Sequence, residues 1–155
     1  MKKIVLAFVT LLVLAACNSS KPTEAATEKN EATEEVAFVE AHNYFFKNDQ
    51  HIPGNVKITT EEEFHKLFGM AAVMGENGKP TTIDFSKQMV LAIVLPQTEQ
   101  ATEITPVKLE MKHDTLYYTY NIKIGEMQTY TIQPVSIIIV DKKYENNEVV
   151  LSTTK

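Results

Sequence analysis

Over much of its length the chain alternates apolar and polar residues with a period of two, the pattern of strands that bury one face. Val107, Leu109 and Met111 alternate with Lys108, Glu110 and Lys112, and Leu116, Tyr118, Tyr120, Ile122 and Ile124 alternate with Tyr117, Thr119, Asn121 and Lys123. A two-residue loop at His113-Asp114 sets Met111 opposite Leu116, Leu109 opposite Tyr118 and Val107 opposite Tyr120. All three apolar pairs then share one face, as a half-buried antiparallel sheet requires. At the next turn parity favours a three-residue loop, Gly125-Glu126-Met127, which pairs Ile122 with Tyr130 and Tyr120 with Ile132.

Two stretches abandon alternation. Met89 to Leu95 is seven apolar residues in a row between Gln88 and Pro96, and Val135 to Val140 is interrupted only by Ser136. Runs of that length bounded by breakers read as strands buried on both faces, and they form the two central strands of the core. Val36 to Phe46 reads as one opening strand, stopped by the polar loop from Lys47 to Gly54, and Val56-Lys57-Ile58 is extended. Thr60-Glu61-Glu62-Glu63 is a capping box, and Phe64, Leu67 and Phe68 then share a face at helical spacing. One short helix is therefore predicted over residues 61–68. Met70 to Thr82, with Gly75, Gly78 and Pro80, reads as a mobile loop, and Val149 to Leu151 closes the sheet. The fold class expected is α+β, mainly an antiparallel meander, sandwich-like or an open barrel, with that one helix.

The first residues change the picture of where this domain sits. Met1-Lys2-Lys3 is a cationic start, and Ile4 to Ala16 carries no charge. Thirteen uncharged residues, all apolar but Thr10, suit a secretory leader and fall short of the roughly 20 that span a bilayer. The run ends in Leu14-Ala15-Ala16-Cys17, which resembles the lipobox of bacterial lipoproteins. That resemblance implies recognition of Leu14, Ala15 and Ala16 by the signal peptidase, cleavage before Cys17, and acyl chains such as palmitate on Cys17. Several chains would anchor the protein firmly, since one binds only marginally. The expected location is the cell envelope, on the outer membrane if the source is Gram-negative.

Between anchor and domain, Asn18 to Glu35 contains no aromatic and no branched aliphatic residue and has five Glu against two Lys. Such a segment cannot offset its conformational entropy and reads as a self-repelling tether of about 20–25 Å. The organisation expected is therefore a signal peptide over 1–16, a lipidated Cys and disordered acidic tether over 17–35, and a single domain over 36–155. Loss of Lys2 and Lys3 with the leader takes the formal charge from −5 to −7, of which the tether carries −3. All 15 cations are Lys. Without Arg or a basic stripe, nucleic-acid binding is not expected. One Cys excludes an internal disulfide or a Cys-based zinc site.

The remaining chemistry is sparse. His42, His51, His65 and His113 fall singly, so no helical metal pair forms, and no nucleophile elbow, phosphate loop or dinucleotide fingerprint occurs. No catalytic residue, metal or cofactor is assigned, and the chain is not expected to be an enzyme. Glu61 and His65 share a helix face at i, i+4. Tyr117, Thr119, Asn121 and Lys123 lie on the outward side of the hairpin, a mixture suited to a partner-binding face. The loop from residue 70 to 82 suggests instead a small-ligand carrier or enzyme with a cavity under the helix.

The order Thr60-Glu61-Glu62-Glu63-Phe64-His65-Lys66-Leu67-Phe68, then Asp84-Phe85-Ser86-Lys87 directly before a buried strand, resembles the C-terminal domain of PrcB-like lipoproteins associated with protease complexes. The resemblance implies a partner or stabiliser of an exported protease rather than a catalyst. Asp84, Phe85, Ser86 and Lys87 also have a structural reading, in which Asp84 and Ser86 cap backbone amides at a turn, Phe85 plugs the core and Lys87 stays in solvent. The domain itself is expected to be monomeric.

Overall fold

The structure, a computed structural model, describes residues 33–48, 50–51, 54–71, 75 and 78–154. The leader, the lipobox residues Leu14 to Cys17, the tether up to residue 32 and part of the 70–82 loop lie outside the described residues. Ten strands and one α-helix are built from the rest: β1 (Glu34–Glu35), β2 (Val39–Glu40), β3 (Tyr44–Phe46), β4 (Asn55–Ile58), α1 (Glu61–Leu67), β5 (Phe68–Met70), β6 (Gln88–Val94), β7 (Thr98–Lys112), β8 (Thr115–Ile132), β9 (Val135–Asp141) and β10 (Glu148–Thr153). A single 3-10 turn, Lys142–Tyr144, joins β9 to β10.

Strands β1-β7-β8-β10 make one four-stranded sheet, β2-β9-β6-β4 a second, and β3-β5 a two-stranded flap. The first two sheets form a sandwich and neither closes on itself, so the α+β class with mainly antiparallel pairing holds. The two unbroken apolar runs are indeed the central strands β6 and β9, paired from Gln88–Asp141 to Val94–Val135. Successive side chains of a strand point to opposite faces. Met89, Leu91 and Ile93 therefore enter the inter-sheet core with Leu109, Leu116, Tyr118 and Ile138. Val90, Ala92 and Val94 enter a second core with Ile58, Phe46, and Phe64 and Phe68 from the helix and its exit. A strand that serves two cores has no polar face, which is why alternation disappears there.

Helix α1 starts where the capping box places it. The Thr60 hydroxyl accepts from the Glu63 amide at 3.3 Å. The helix stops at Leu67 rather than Phe68, because Phe68 turns extended to pair with Phe46.

Five expectations are corrected. Val36 to Phe46 is not one strand but two short ones, β2 and β3, in different sheets, because Val36 belongs to the inter-sheet core and Phe46 to the helix-side core, and Asn43 redirects the chain with φ 64. The hairpin turns at His113-Asp114 and pairs Met111 with Leu116 and Leu109 with Tyr118, but Tyr120 lies opposite Pro106, not Val107. Pro106 has no amide hydrogen for the ladder, and a bulge between Pro106 and Lys108 leaves Val107 outside the core. No loop forms at Gly125-Glu126-Met127. Instead β8 runs on to Ile132, and β7 begins at Thr98, opposite it. Residues 124–132 of β8 face only 98–102 of β7, so the excess residues bulge out of the ladder. Finally, the last strand does not close a meander: β10 adds to β8 in parallel, from Glu148–Thr115 to Thr153–Tyr120. The sheet also starts at Glu34, two residues inside the segment assigned to the tether.

Candidate functional site

The 79–85 segment is fixed to β3 and the residues before it by four bonds. The His42 amide donates to the Thr81 hydroxyl at 2.9 Å, and the Thr81 amide to the His42 carbonyl at 3.2 Å. The Asn43 side-chain amide donates to the Lys79 carbonyl at 3.0 Å, and the Tyr44 hydroxyl to the Thr81 carbonyl at 2.6 Å. Partial burial pushes the Tyr44 phenol above its ordinary range, so it is a standing donor in that bond. Further along, Asp84 holds the turn into β6. Its carboxylate accepts from the Ser86 amide and hydroxyl, and its carbonyl accepts from the Lys87 and Gln88 amides. The Ser86 bonds, with Lys87 and Lys142 nearby, keep the Asp84 carboxyl below the usual range.

Between this segment and α1 lies an open cleft of about 370 Å3. Tyr44, Phe64, Ile83 and Phe85 make an apolar floor, with Met70 at the mouth. Phe64 meets Tyr44 edge-on at 5.0 Å between ring centroids and Phe85 at 5.6 Å. Glu61, His65, Lys79, Thr81 and Thr82 supply polar groups around it. Glu61 and His65, one helical turn apart, stand 3.4 Å from each other. The Lys142 ammonium donates to the Thr59 carbonyl at 3.2 Å and the Phe85 carbonyl at 2.7 Å, clamping the start of the helix to the opposite wall. An apolar floor with a few placed polar groups on pre-formed walls is the usual composition of a small recognition site.

The residues singled out from sequence fall in three places. Phe85 is on the cleft floor, while Asp84, Ser86 and Lys87 form the turn behind it, with a Lys87–Asp84 ion pair of 3.8 Å. Tyr117, Thr119, Asn121 and Lys123 do come together, on the outer face of the β7–β8–β10 sheet. There they are engaged with neighbours: Lys112 lies over the Tyr117 ring at 5.5 Å, Thr119 bonds Ser152 at 3.0 Å, and Lys123 stands opposite Glu103. Leu14, Ala15, Ala16 and Cys17 lie outside the described residues.

Sequence reasoning missed Tyr44, Thr81, Ile83 and Lys142 as site residues. Tyr44 and Thr81 are 37 positions apart, and no periodicity links them. The aromatic run Tyr44-Phe45-Phe46 was the available signal, since three consecutive aromatics cannot all face one core.

Residues 1–18 match the family described as the prokaryotic membrane lipoprotein lipid attachment site. The chain is thus an exported lipoprotein anchored to a membrane of the cell envelope through lipid. No curated protein and no solved structure matches the chain.

Proposed function

We propose that this lipoprotein is a binding module of the cell envelope that receives an apolar side chain of another exported protein in the cleft between α1 and residues 79–85. The observation that carries the reading is the cleft itself: an aromatic floor of Tyr44, Phe64 and Phe85 between walls pinned by the Thr81 and Lys142 bonds. Pre-organised walls lower the ordering cost of binding, so even a small contact yields useful affinity. An exported protease is the partner class that the PrcB-like resemblance of Thr60–Phe68 and Asp84–Lys87 implies. The outer face around Tyr117 is engaged by its own neighbours, Lys112 and Ser152 among them, and serves at most as a flanking contact.

The test is crosslinking in envelopes that contain the full-length lipoprotein, compared with Met70→Glu at the cleft mouth and Tyr117→Ala on the outer face. Met70 is exposed, so a charge there blocks the cleft without unfolding the domain. The expected outcome is one exported protein captured by the wild type and by Tyr117→Ala, and lost at least tenfold with Met70→Glu. Equal capture by all three chains overturns the reading. A second reading, a small-ligand carrier, is favoured by the cleft volume, which lies within the range of small-molecule sites. Mass spectrometry of the purified chain under non-denaturing conditions discriminates the two: a retained small molecule displaced by Met70→Glu supports the carrier.

A further inference from the structure

The strand edges of this fold are not equally protected. An open edge is a template for another strand, and proteins usually shorten it, charge it or bulge it. At one sheet, β2 offers two residues and β4 carries Lys57; at the other, β1 is two glutamates. The stretches of β7 and β8 that run beyond β1 and β10 are broken by register shifts and carry Glu99, Glu103, Lys123 and Glu126, whereas the edge strand β10 is six residues long and from Val149 to Thr153 contains no charge, no proline and no bulge. Among the described residues no strand pairs with its far side.

The direction of its backbone groups is fixed by its bonds to the neighbouring strand. The Glu148 amide donates to the Asp114 carbonyl and the Thr154 amide to the Tyr120 carbonyl, so even-numbered residues turn toward β8. Val149, Leu151 and Thr153 therefore turn their N–H and C=O groups to the open edge.

We propose that this edge pairs with the same strand of a second copy, antiparallel about a two-fold axis at Val150, joining two four-stranded sheets into one of eight strands. In that register Val149 of each copy faces Leu151 of the other in a hydrogen-bonded pair, and both residues already pack against the inter-sheet core. Val150, 43 % exposed on the outer face, meets its own counterpart in a non-hydrogen-bonded pair. Glu148 meets Ser152, so no like charges are apposed. The strand is self-complementary in shape, polarity and hydrogen-bonding phase, as an isologous interface requires. The ladder is short, and confinement of both copies to one membrane supplies the effective concentration that makes it form. The pairing contradicts the monomer expected from sequence and does not depend on the cleft.

Oxidative crosslinking of the full-length lipoprotein in membranes tests the register. Residues in a non-hydrogen-bonded antiparallel pair have the spacing a disulfide needs. Val150→Cys is expected to give a disulfide-linked homodimer, Ser152→Cys alone at least tenfold less, and Glu148→Cys co-expressed with Ser152→Cys a mixed dimer. The exposed Met127→Cys is the control for random collision. Val150→Lys places two cations at the axis and is expected to weaken association at least tenfold in lipid vesicles, read by energy transfer between differently labelled copies of the full-length lipoprotein, with the thermal midpoint unchanged. Crosslinking of Val150→Cys no stronger than the Met127→Cys control, or to a different protein, overturns the proposal, as does a Val150→Lys chain that associates normally.

Discussion

Tyr118 shows what a single atom can cost inside a sheet sandwich. Its ring is fully buried among Leu109, Leu116 and Ile138, and its hydroxyl finds no hydrogen-bond partner among the described residues. A phenol removed from water resists ionisation, and burial pushes Tyr118 up to about 12, with Ser136 opposing and Glu40 and Tyr120 adding to the rise. Between the ordinary tyrosine value near 10 and that value, the unfolded chain has lost the proton while the folded chain keeps it. Stability is therefore full below about pH 10 and falls as pH rises toward 12, by on the order of 2 kcal/mol from this group. Tyr44, raised in the same direction, adds to the slope. Tyr118→Phe removes a desolvated hydroxyl whose polar neighbour is the Ser136 side chain, too poorly placed for a full hydrogen bond, so stability at pH 7 is expected to stay within about 1 kcal/mol of wild type. It should also flatten the alkaline arm. Urea midpoints at pH 7, 10 and 11 for the two chains check both statements, and a loss above 1 kcal/mol at pH 7 would show that the hydroxyl has a partner.

At the scale of elements, the parts legible in the sequence are those whose signal is local. The capping box gave the start of α1 because the Thr60–Glu63 bond is made within one turn. The runs Met89–Leu95 and Val135–Val140 were readable because burial on two faces leaves an unbroken apolar stretch. The misread elements depend on distant partners. Gly125 looks like a loop residue, yet a Cβ there would approach the Ala101 carbonyl to 3.1 Å, so glycine marks a close strand contact inside a bulge. Tyr44, Phe45 and Phe46 look continuous with Val36, yet the chain changes sheets between them. The cleft was legible only in position, beside the 70–82 loop; its floor needed the tertiary contact of Tyr44 with Phe64. Its stiffness rests on long-range bonds too. Lys142→Met should keep the packing of the stem while cutting the bonds to the Thr59 and Phe85 carbonyls, at a cost of about 1.5–3 kcal/mol. Thr60→Ala should cost about 1 kcal/mol through the lost cap. If the clamp sets the cleft, Lys142→Met alone will also broaden amide signals of residues 81–85, and equal spectra for the two variants would count against it.

For the whole molecule, the decisive feature is where the anchored end enters the fold. The described chain begins beside the hairpin tip, with Glu34 opposite Met111, and then contributes one strand to each sheet within thirteen residues. This stretch stitches the layers together: Val36 fills the inter-sheet core, its amide donates to the Leu109 carbonyl at 2.8 Å, and Phe46 reaches the helix-side core. Because the lipid attachment site lies N-terminal to this stitch, any pull from the membrane acts first on the strand at Glu34. Two internal deletions that both retain Cys17 separate leash from stitch. Removing residues 18–30 should leave the thermal midpoint of the detergent-solubilised lipoprotein within about 1–2 °C of wild type. Removing residues 18–40 takes β1, β2 and the buried Val36 and should lower it by roughly 10 °C or more, since loss of a buried aliphatic residue alone costs on the order of 2–4 kcal/mol and each kcal/mol shifts a domain of this size by several degrees. If instead the shorter deletion already destabilises the domain, folded contacts extend into the acidic segment and the boundary lies nearer the lipid than the composition of Asn18 to Glu35 suggests.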